Sequence, residues 1–175
     1  MSAALYAGLL GGDFAALPPK VRGIHSNPGL HRYRGEVEVV RGAGVLSRLC
    51  AWATRLPSPG SGPIEVEIEA VPTHERWTRH VAGHAMRSRL WARDGLLCER
   101  LGWVRFGFRL GVDAGAIVWR VASVRAFGLL PLPTGWFDDV RAHEFERDGR
   151  YHFDVAAALP LAGLLVRYRG WLHVE

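Results

Sequence analysis

Cysteine is scarce in this chain, which carries only Cys50 and Cys98. Two cysteines cannot build the disulfide framework of a small secreted protein, and their spacing is not a CxxC or metal-ligand arrangement. This usage favours a reducing, cytoplasmic location. Residues 1–10 also lack the basic start and the long apolar stretch of a secretory signal. No apolar run is long enough for a membrane helix, so we expect no membrane span.

Several polar side chains are equally rare, since Lys20 is the only lysine, Asn27 is the only asparagine and glutamine is absent. The 22 basic and 17 acidic residues give a formal net charge of +5, which permits an anionic partner. The arginines, however, are scattered over the predicted strands without a Lys/Arg run. No RNP, helix-turn-helix or zinc-finger pattern accompanies them, so we expect no nucleic-acid partner.

The motifs of common enzymes are missing too. The sequence has no GxSxG elbow, no phosphate loop, no Cys–His signature and no strand followed by GxGxxG. His74, His80 and His84 lie around one predicted hairpin, but their spacing matches no zinc-ligand pattern. We therefore expect no metal and no cofactor. These absences argue against hydrolase and kinase chemistry, and they leave open catalysis that depends on the shape of a cavity and one acid.

The chain does contain long segments in which apolar and polar residues alternate. Tyr151–Leu159, Leu164–Val174 and Val104–Leu110 each present one apolar face, which is typical of strands that cover an interior. Asp94-Gly95 and Asp148-Gly149 are strong hairpin signals. The pattern predicts a mainly β (α+β) fold, with a highly curved antiparallel sheet or barrel of about nine to ten strands.

Helical signals occur in two places. Apolar spacing before Pro18-Pro19 predicts an N-terminal helical arm, and Val45–Leu56 predicts one helix between strands 1 and 2. Leu129–Thr134 contains two prolines and is predicted to be a bend or loop. We expect one domain over residues 1–175. A lipocalin-like closed barrel and a helix-grip cavity fold without its C-terminal helix both fit this order.

The chain has seven tryptophans, which either fill the core or line a ligand cavity. Trp77 and Arg79 share one strand face, and a buried arginine there would need a carboxylate partner, for which Glu99 is the candidate. Such a pair would either pin two strands or anchor an anion or carbonyl group in an aromatic pocket. The predicted ligand-binding residues are Trp77, Arg79, Glu99, Phe106, Phe108 and Tyr168.

A second group of polar residues lies on the last two strands. His152 and Asp154 share the face opposite to Tyr151, so they are candidates for a catalytic acid/base pair if that face looks into a cavity. If it looks outward, they belong to the solvated surface. Arg167 and Arg169 share a face and most simply form an exposed cationic strip, although a phosphate or carboxylate contact is the alternative.

Particular strings resemble a known family. Tyr151–Val155, Leu159–Leu172, Glu75–Arg79 and Gly128–Pro133 are similar to the bacterial domain-of-unknown-function family numbered 4166, and the likeness extends from Leu5 to Leu172. Members of that family often follow a saccharopine-dehydrogenase-like reductase domain, which this chain lacks. The resemblance implies a stand-alone bacterial domain linked to small-molecule metabolism. It provides no catalytic residues to transfer.

These observations lead to two hypotheses about function. The first is a β-barrel-like domain that binds a small apolar or amphipathic metabolite and acts, in its strongest form, as a cofactor-free isomerase or cyclase. The alternative is a non-catalytic interaction domain that docks onto a reductase partner. A cavity of several hundred cubic ångströms would favour the first, as in most ligand sites. A filled interior with a wide exposed apolar patch would favour the second.

Overall fold

The computed structural model describes residues 4–54, 56–81 and 83–175. Residues 1–3, Arg55 and Ala82 lie outside this set, so part of the segment 1–10 and one position of the predicted helix are not described. Within it the chain forms four short α-helices and eleven strands. The helices are α1 (Leu5–Leu10), α2 (Gly12–Ala15), α3 (Pro19–Ile24) and α4 (Val45–Thr54). The strands are β1 (Gly29–Arg41), β2 (Gly60–Val71), β3 (His74–Val81), β4 (His84–Arg93), β5 (Leu96–Leu101), β6 (Val104–Asp113), β7 (Ala116–Ala126), β8 (Leu130–Leu132), β9 (Arg141–Arg147), β10 (Arg150–Leu159) and β11 (Gly163–Leu172).

Ten of these strands close into an antiparallel barrel. Strands β1 to β7 pair in sequence order, β7 then pairs with β9, and β11 returns to β1. The prediction of a highly curved sheet or barrel is confirmed, and the closed form is the one adopted. One local prediction was wrong. Leu130–Leu132 lie in the expected bend, but they form a short strand, β8, that pairs with the C-terminal end of β7. A short 3₁₀ turn follows it at Thr134–Phe137.

Tight turns join most neighbouring strands. Asp94 and Gly95 have φ values of 53° and 72°, and Asp148 and Gly149 have values of 52° and 70°. Positive φ at both central residues is the requirement of a type I′ turn, whose twist matches that of the strands it joins. Both predicted Asp-Gly hairpins are therefore confirmed.

The backbones of β1 and β11 approach each other closely at two glycines. A Cβ atom on Gly170 would collide with the carbonyl oxygen of Glu36 and would lie 2.8 Å from Cζ of Phe153. A Cβ on Gly35 would likewise collide with the carbonyl oxygen of Trp171. Glycine permits these approaches because it has no side chain. The seam thus depends on one glycine from each strand, with Gly35 opposite Leu172 and Gly170 opposite Val37.

The predicted N-terminal arm and the predicted helix between strands 1 and 2 lie at opposite ends of the barrel. We call the end where β1 begins at Gly29 the lower end, and the end where β1 finishes at Arg41 the upper end. The N-terminal arm, α1 to α3, covers the lower end and buries Tyr6 and Val21 completely. Helix α4 lies at the upper end, where the Ser47 hydroxyl donates to the Leu164 carbonyl oxygen at 2.9 Å.

Helix α4 is confirmed over Val45–Thr54, but the apolar stripe that predicted it is not buried. Val45, Leu49 and Trp52 are all exposed, and Ser47 is the residue that packs against the barrel. The amphipathic pattern therefore indicated the helix correctly without indicating what it covers. No helix among the described residues is long and apolar enough to cross a membrane.

Candidate functional site

A cavity lies inside the barrel between aromatic and charged side chains. Its volume is about 80 Å³, which accommodates several water molecules or one small organic group. Five of the six predicted ligand-binding residues line it: Trp77, Arg79, Glu99, Phe108 and Tyr168. The sixth, Phe106, is partly buried beside the cavity, with its ring 5.6 Å from that of Phe108 and 6.0 Å from that of Phe137.

Arg79 is the centre of the first polar cluster in the interior. Its Nη2 lies 3.6 Å from Oε1 of Glu99, and its Nη1 donates to the Ser88 hydroxyl at 3.0 Å. Its guanidinium carbon lies 4.9 Å from the centre of the Trp77 ring, a cation–π distance. The predicted partnership of Arg79 with Glu99 is confirmed. This contact links β3 to β5 across β4, because Arg79, Ser88 and Glu99 on the three strands all point to the interior.

A second polar cluster lies below the first and was not predicted. Oε2 of Glu144 on β9 lies 2.5 Å from Nε2 of His25, which ends α3. Burial and the negative charge of Glu144 together raise the pKa of the Tyr151 hydroxyl. The His25 ring stacks on Tyr6 of α1 with centroids 3.6 Å apart. Alternation with Ala142 hinted that Glu144 faces inward, but nothing in the sequence linked it to the N-terminal arm.

Glu75 is a third buried carboxyl group at this level. It is 4% exposed, and one of its oxygens accepts a hydrogen bond from Nε1 of Trp77 at 2.8 Å. Burial raises its pKa, while the nearby His25 and the hydrogen bond from Trp77 act in the opposite direction. Among the described residues, three carboxyl groups are thus buried in the interior, those of Glu75, Glu99 and Glu144, and Arg79 pairs with Glu99. Glu75 holds its proton more tightly than an exposed glutamate does.

The interior tyrosines keep their phenolic protons at neutral pH. Burial raises the pKa of Tyr168 to about 12, and it raises the pKa of Tyr6 and Tyr151 well above the usual value. Neighbouring carboxylates add to the effect at Tyr6 and Tyr151. These phenols remain protonated because their anions would lose hydration and face negative charge.

Two polar atoms that border the cavity lack a hydrogen-bond partner among the described residues. They are Oε1 of Glu99 and Nε1 of Trp119, both fully buried. The distance from Glu99 to Arg79 is an ion-pair distance and is too long for a hydrogen bond. An unsatisfied buried group costs about 1–3 kcal/mol. The cavity thus offers one acceptor and one donor to a guest.

His152 and Asp154 do not face this cavity. They lie on the outer face of β10, where Arg167 donates to both carboxylate oxygens of Asp154 at 3.1 and 2.7 Å. The His152 ring stacks on Phe145 with centroids 5.4 Å apart, and its pKa is lowered by partial burial and by Arg147. Of the two alternatives, the structure places the pair on the solvated side.

The described residues contain no cluster of three or more His, Cys, Asp and Glu side chains arranged to hold a metal ion. His74 and His80 both lie on β3, and His80 is 3.8 Å from Glu67 of the neighbouring strand. The polar atoms that converge in the molecule are instead the carboxyl, guanidinium and phenol groups of the interior.

Comparison with known proteins places this geometry in context. The sequence pattern of the family described as Domain of unknown function (DUF4166) matches residues 17–172. No curated protein matches the chain. Among solved structures, the chain is similar to the crystal structure of Rv2717c from M. tuberculosis, with a TM-score of 0.50 and 13% sequence identity. That similarity covers 91% of this chain and 99% of the other, and it concerns the fold alone.

Proposed function

This chain belongs to the DUF4166 family, and we propose that its barrel binds one small, largely apolar molecule whose polar group contacts Glu99 and Arg79. The observation that supports this proposal is the buried pair of unsatisfied atoms, Oε1 of Glu99 and Nε1 of Trp119, at the wall of the same cavity. Buried polar atoms in folded proteins almost always have partners. A guest with a hydroxyl, amide or carbonyl group supplies them.

The apolar part of the guest contacts the remaining wall. Phe108, Phe153 and Leu172 present hydrocarbon to the cavity. Arg79 can donate to a carbonyl or hydroxyl oxygen, and Glu99 can accept from a hydroxyl or amide hydrogen. This division between a broad apolar wall and a few convergent polar atoms is typical of small-molecule sites.

The volume of about 80 Å³ limits the guest. Ligand sites usually measure about 300–1,000 Å³, so a molecule of metabolite size needs a wall that moves. The N-terminal arm provides such a wall, because Tyr6 and His25 reach the cavity-lining residues Trp119 and Glu144. A small guest fits the closed barrel, and a larger guest enters when the arm shifts.

A more specific version of this proposal is that the barrel also catalyses a reaction of the bound molecule. An isomerase or cyclase without a cofactor needs a shaped cavity and one group that moves a proton. The groups placed for that role are Glu144 and Tyr151, which line the cavity, and His25, whose Nε2 contacts Glu144. They replace His152 and Asp154, which face outward, as the candidates for the acid and base.

The binding experiment uses two probes of nearly equal shape, cyclohexanol and methylcyclohexane, with the full chain. The indole N–H resonance of Trp119 is followed by NMR during each titration. We expect cyclohexanol to shift it and to bind at least about tenfold more weakly to Glu99→Gln, because a hydrogen bond to a charged group is lost. Glu65→Gln on the outer face is the matched control and should bind like the wild type.

Two results would overturn the binding proposal. One is an unmoved Trp119 resonance with both probes. The other is unchanged binding in Ala142→Phe, which places a ring in the cavity and whose folding is checked by circular dichroism. Equal affinity for both probes would contradict the polar contact to Glu99.

A second candidate function, the non-catalytic interaction domain, is favoured by a different observation. The cavity is small, and the upper end of the barrel exposes a wide apolar surface. Such a surface is the feature expected of a domain that docks onto a reductase. What this surface contacts is a separate question from what the interior binds.

A further inference from the structure

The exposed hydrophobic side chains of this barrel are concentrated at its upper end. Helix α4 exposes Val45, Leu46, Leu49 and Trp52. Three other connections at the same end expose Trp103, residues of the segment 127–136, and Leu161. We call this set the upper apolar surface. Phe127, Leu129 and Leu161 are 70%, 81% and 91% exposed, which is unusual for large apolar side chains in a soluble domain.

The barrel topology explains why these segments meet. They connect β1 to β2, β5 to β6, β7 to β9, and β10 to β11, and in an antiparallel barrel these connections all lie at one end. Direct contacts join them. The Trp52 ring meets the Trp103 ring edge-on at 4.9 Å, and Trp103 lies 5.9 Å from Phe127. The surface is therefore continuous across three of the connections.

Strand pairing places a row of arginines beside this surface. Arg76 is opposite Arg89, Arg89 is opposite Arg100, Arg100 is opposite Arg105, and Arg105 is opposite Arg125. We call these five residues the arginine row. Like charges directly opposite each other destabilise a sheet. Arg76 at one end of the row pairs with Glu69, and the rest of the row attracts anions.

The upper part of the row meets the upper apolar surface. Arg100 and Arg105 flank the turn that carries Trp103, and Arg125 precedes Phe127 by two positions. Within the described part of the chain, none of these three arginines has a salt bridge. A cleft of about 310 Å³ lies between Trp103 and Phe127, and its walls include Arg100 and Arg105.

The opposite wall of the barrel has a different charge pattern. There, Arg32 pairs with Glu67 at 2.6 Å and Arg34 pairs with Glu65 at 2.7 Å. Arg169 pairs with Glu38 at 2.7 Å in the same way. Arg100, Arg105 and Arg125, which have no such partner among the described residues, lie on the side of the barrel that leads to the exposed aromatic rings.

Acidic residues are almost absent from the upper connections. Residues 42–63 contain none, and neither do residues 100–105 or 159–164. Asp138 and Asp139 follow the 3₁₀ turn, and Asp139 pairs with Arg141 at 3.2 Å. The charge next to the upper apolar surface is thus mainly positive and complements an anionic partner.

We infer that the upper end docks onto an anionic membrane surface. Trp52, Trp103 and Phe127 suit the boundary between headgroups and acyl chains, where aromatic rings are enriched. The leucines of α4 and Leu161 insert beside them, as apolar faces of interfacial helices do. Arg100, Arg105 and Arg125 contact lipid phosphates, each basic residue near the surface contributing to the attraction.

A nucleic acid or a protein partner would explain only part of this combination of apolar and positively charged side chains. A nucleic acid would use the arginines and the rings but would leave exposed leucines such as Leu129 and Leu161 without a partner. A protein partner would cover the leucines, but it would explain the arginines only if it also carried acidic groups at matching positions. The surface of a membrane with anionic lipids provides both kinds of contact over the same area.

The test uses the full chain and sedimentation with vesicles of phosphatidylcholine, alone or mixed with phosphatidylglycerol. We expect binding to the mixed vesicles, weaker binding to phosphatidylcholine alone, and a decline with salt. Leu49→Glu/Trp52→Glu and Arg100→Glu/Arg125→Glu should each lower the partition coefficient at least about tenfold. Arg147→Glu/Arg150→Glu makes the same charge change at the lower end and should bind like the wild type.

Every outcome decides the inference. Fluorescence quenching by brominated lipids should identify tryptophans in the bilayer, and Trp52→Phe should reduce that quenching. Absence of vesicle binding, or equal binding by all variants, would overturn the inference. Self-association abolished by Leu49→Glu, without vesicle binding, would assign the surface to a second copy instead. Retention of circular dichroism and of the wild-type unfolding midpoint shows that each variant is folded.

Discussion

Nε2 of His25 and Oε2 of Glu144 lie 2.5 Å apart although 119 residues separate them in the chain. This contact joins the N-terminal arm to β9, and the stacked ring of Tyr6 covers it. Both side chains are almost fully buried. The lower end of the barrel is therefore closed by a polar contact as well as by hydrophobic packing.

Replacing His25 should loosen this closure. In His25→Ala the Glu144 carboxylate keeps its burial and loses its partner, so we expect the free energy of unfolding to fall by about 3 kcal/mol. Urea unfolding followed by circular dichroism measures it. His143→Ala, on an exposed position of the same strand, should change it by less than about 0.5 kcal/mol. Equal effects of the two changes would contradict a structural role for the contact.

The buried Glu75 should make stability depend on pH in a defined direction. Its pKa is raised in the folded protein, so the folded state holds a proton that the unfolded chain releases. Stability is therefore complete below the unfolded pKa of about 4.3 and is lost as pH rises through the folded pKa. Glu75→Gln preserves an acceptor for Trp77 and should gain stability relative to the wild type from about pH 4 to pH 7. A difference that stays constant with pH, in urea melts across this range, would argue against the raised pKa.

All four tyrosines of the chain should resist ionisation while the protein is folded. Burial raises the pKa of Tyr6, Tyr33, Tyr151 and Tyr168 above the usual value. At about pH 10, phenolate absorbance should be well below half of its maximum in the folded protein and near half in urea. Stability should then decline as pH rises further, because only the unfolded chain releases these protons readily. Matching titration curves for the folded and unfolded states would refute the buried environment.

The seam between β1 and β11 should not tolerate a side chain at Gly170. Gly170→Ala forces a methyl group against the Glu36 carbonyl and the Phe153 ring, so we expect a loss of about 3 kcal/mol in the free energy of unfolding. Gly62→Ala on β2 is the matched control, since its Cβ would meet nothing within 4 Å. It should stay within about 1 kcal/mol of the wild type. Similar urea midpoints for both variants would contradict this prediction and would mean that β1 and β11 can move apart to accommodate the methyl group.

The arginine row should be a place where one substitution stabilises the fold. Arg89 is exposed and faces Arg76 on one side and Arg100 on the other. Arg89→Glu therefore replaces two repulsions by two attractions and should add about 0.5–1 kcal/mol at low salt. The gain should shrink at high salt because screening weakens exposed charges. Arg34→Glu, which loses its ion pair with Glu65, should lower the free energy of unfolding instead. If both substitutions lowered it, the arginines of the row would not repel one another.

The strands and their faces could be predicted because alternation is a local signal. Tyr151–Leu159 shows its apolar face without reference to any other part of the chain. The same reasoning placed Trp77 and Arg79 on one face and required a carboxylate for the arginine, which is why Glu99 was found. His152 and Asp154 were placed on one face correctly. Their pattern alone did not say whether that face pointed inward.

Other features depended on contacts between distant segments. The helix α4 was predicted from its apolar spacing, yet spacing does not say whether another element covers the apolar stripe. Glu144 is not among the predicted site residues, because its partner His25 belongs to the N-terminal arm. No local pattern in the sequence indicates where that arm packs. Short-range periodicity carries no information about such pairs, whose separation in sequence is large.

The sequence by itself determined most of the strands, the Asp-Gly hairpins and the shared face of Trp77 and Arg79, because each follows from residue period or from backbone preference. Only the tertiary structure decided the closure of the barrel, the contact of His25 with Glu144 and the alignment of five arginines. The reason is strand register. Arginines that are scattered along the chain become neighbours only when each strand pairs at one offset, and a shift by a single residue would turn them to the other face.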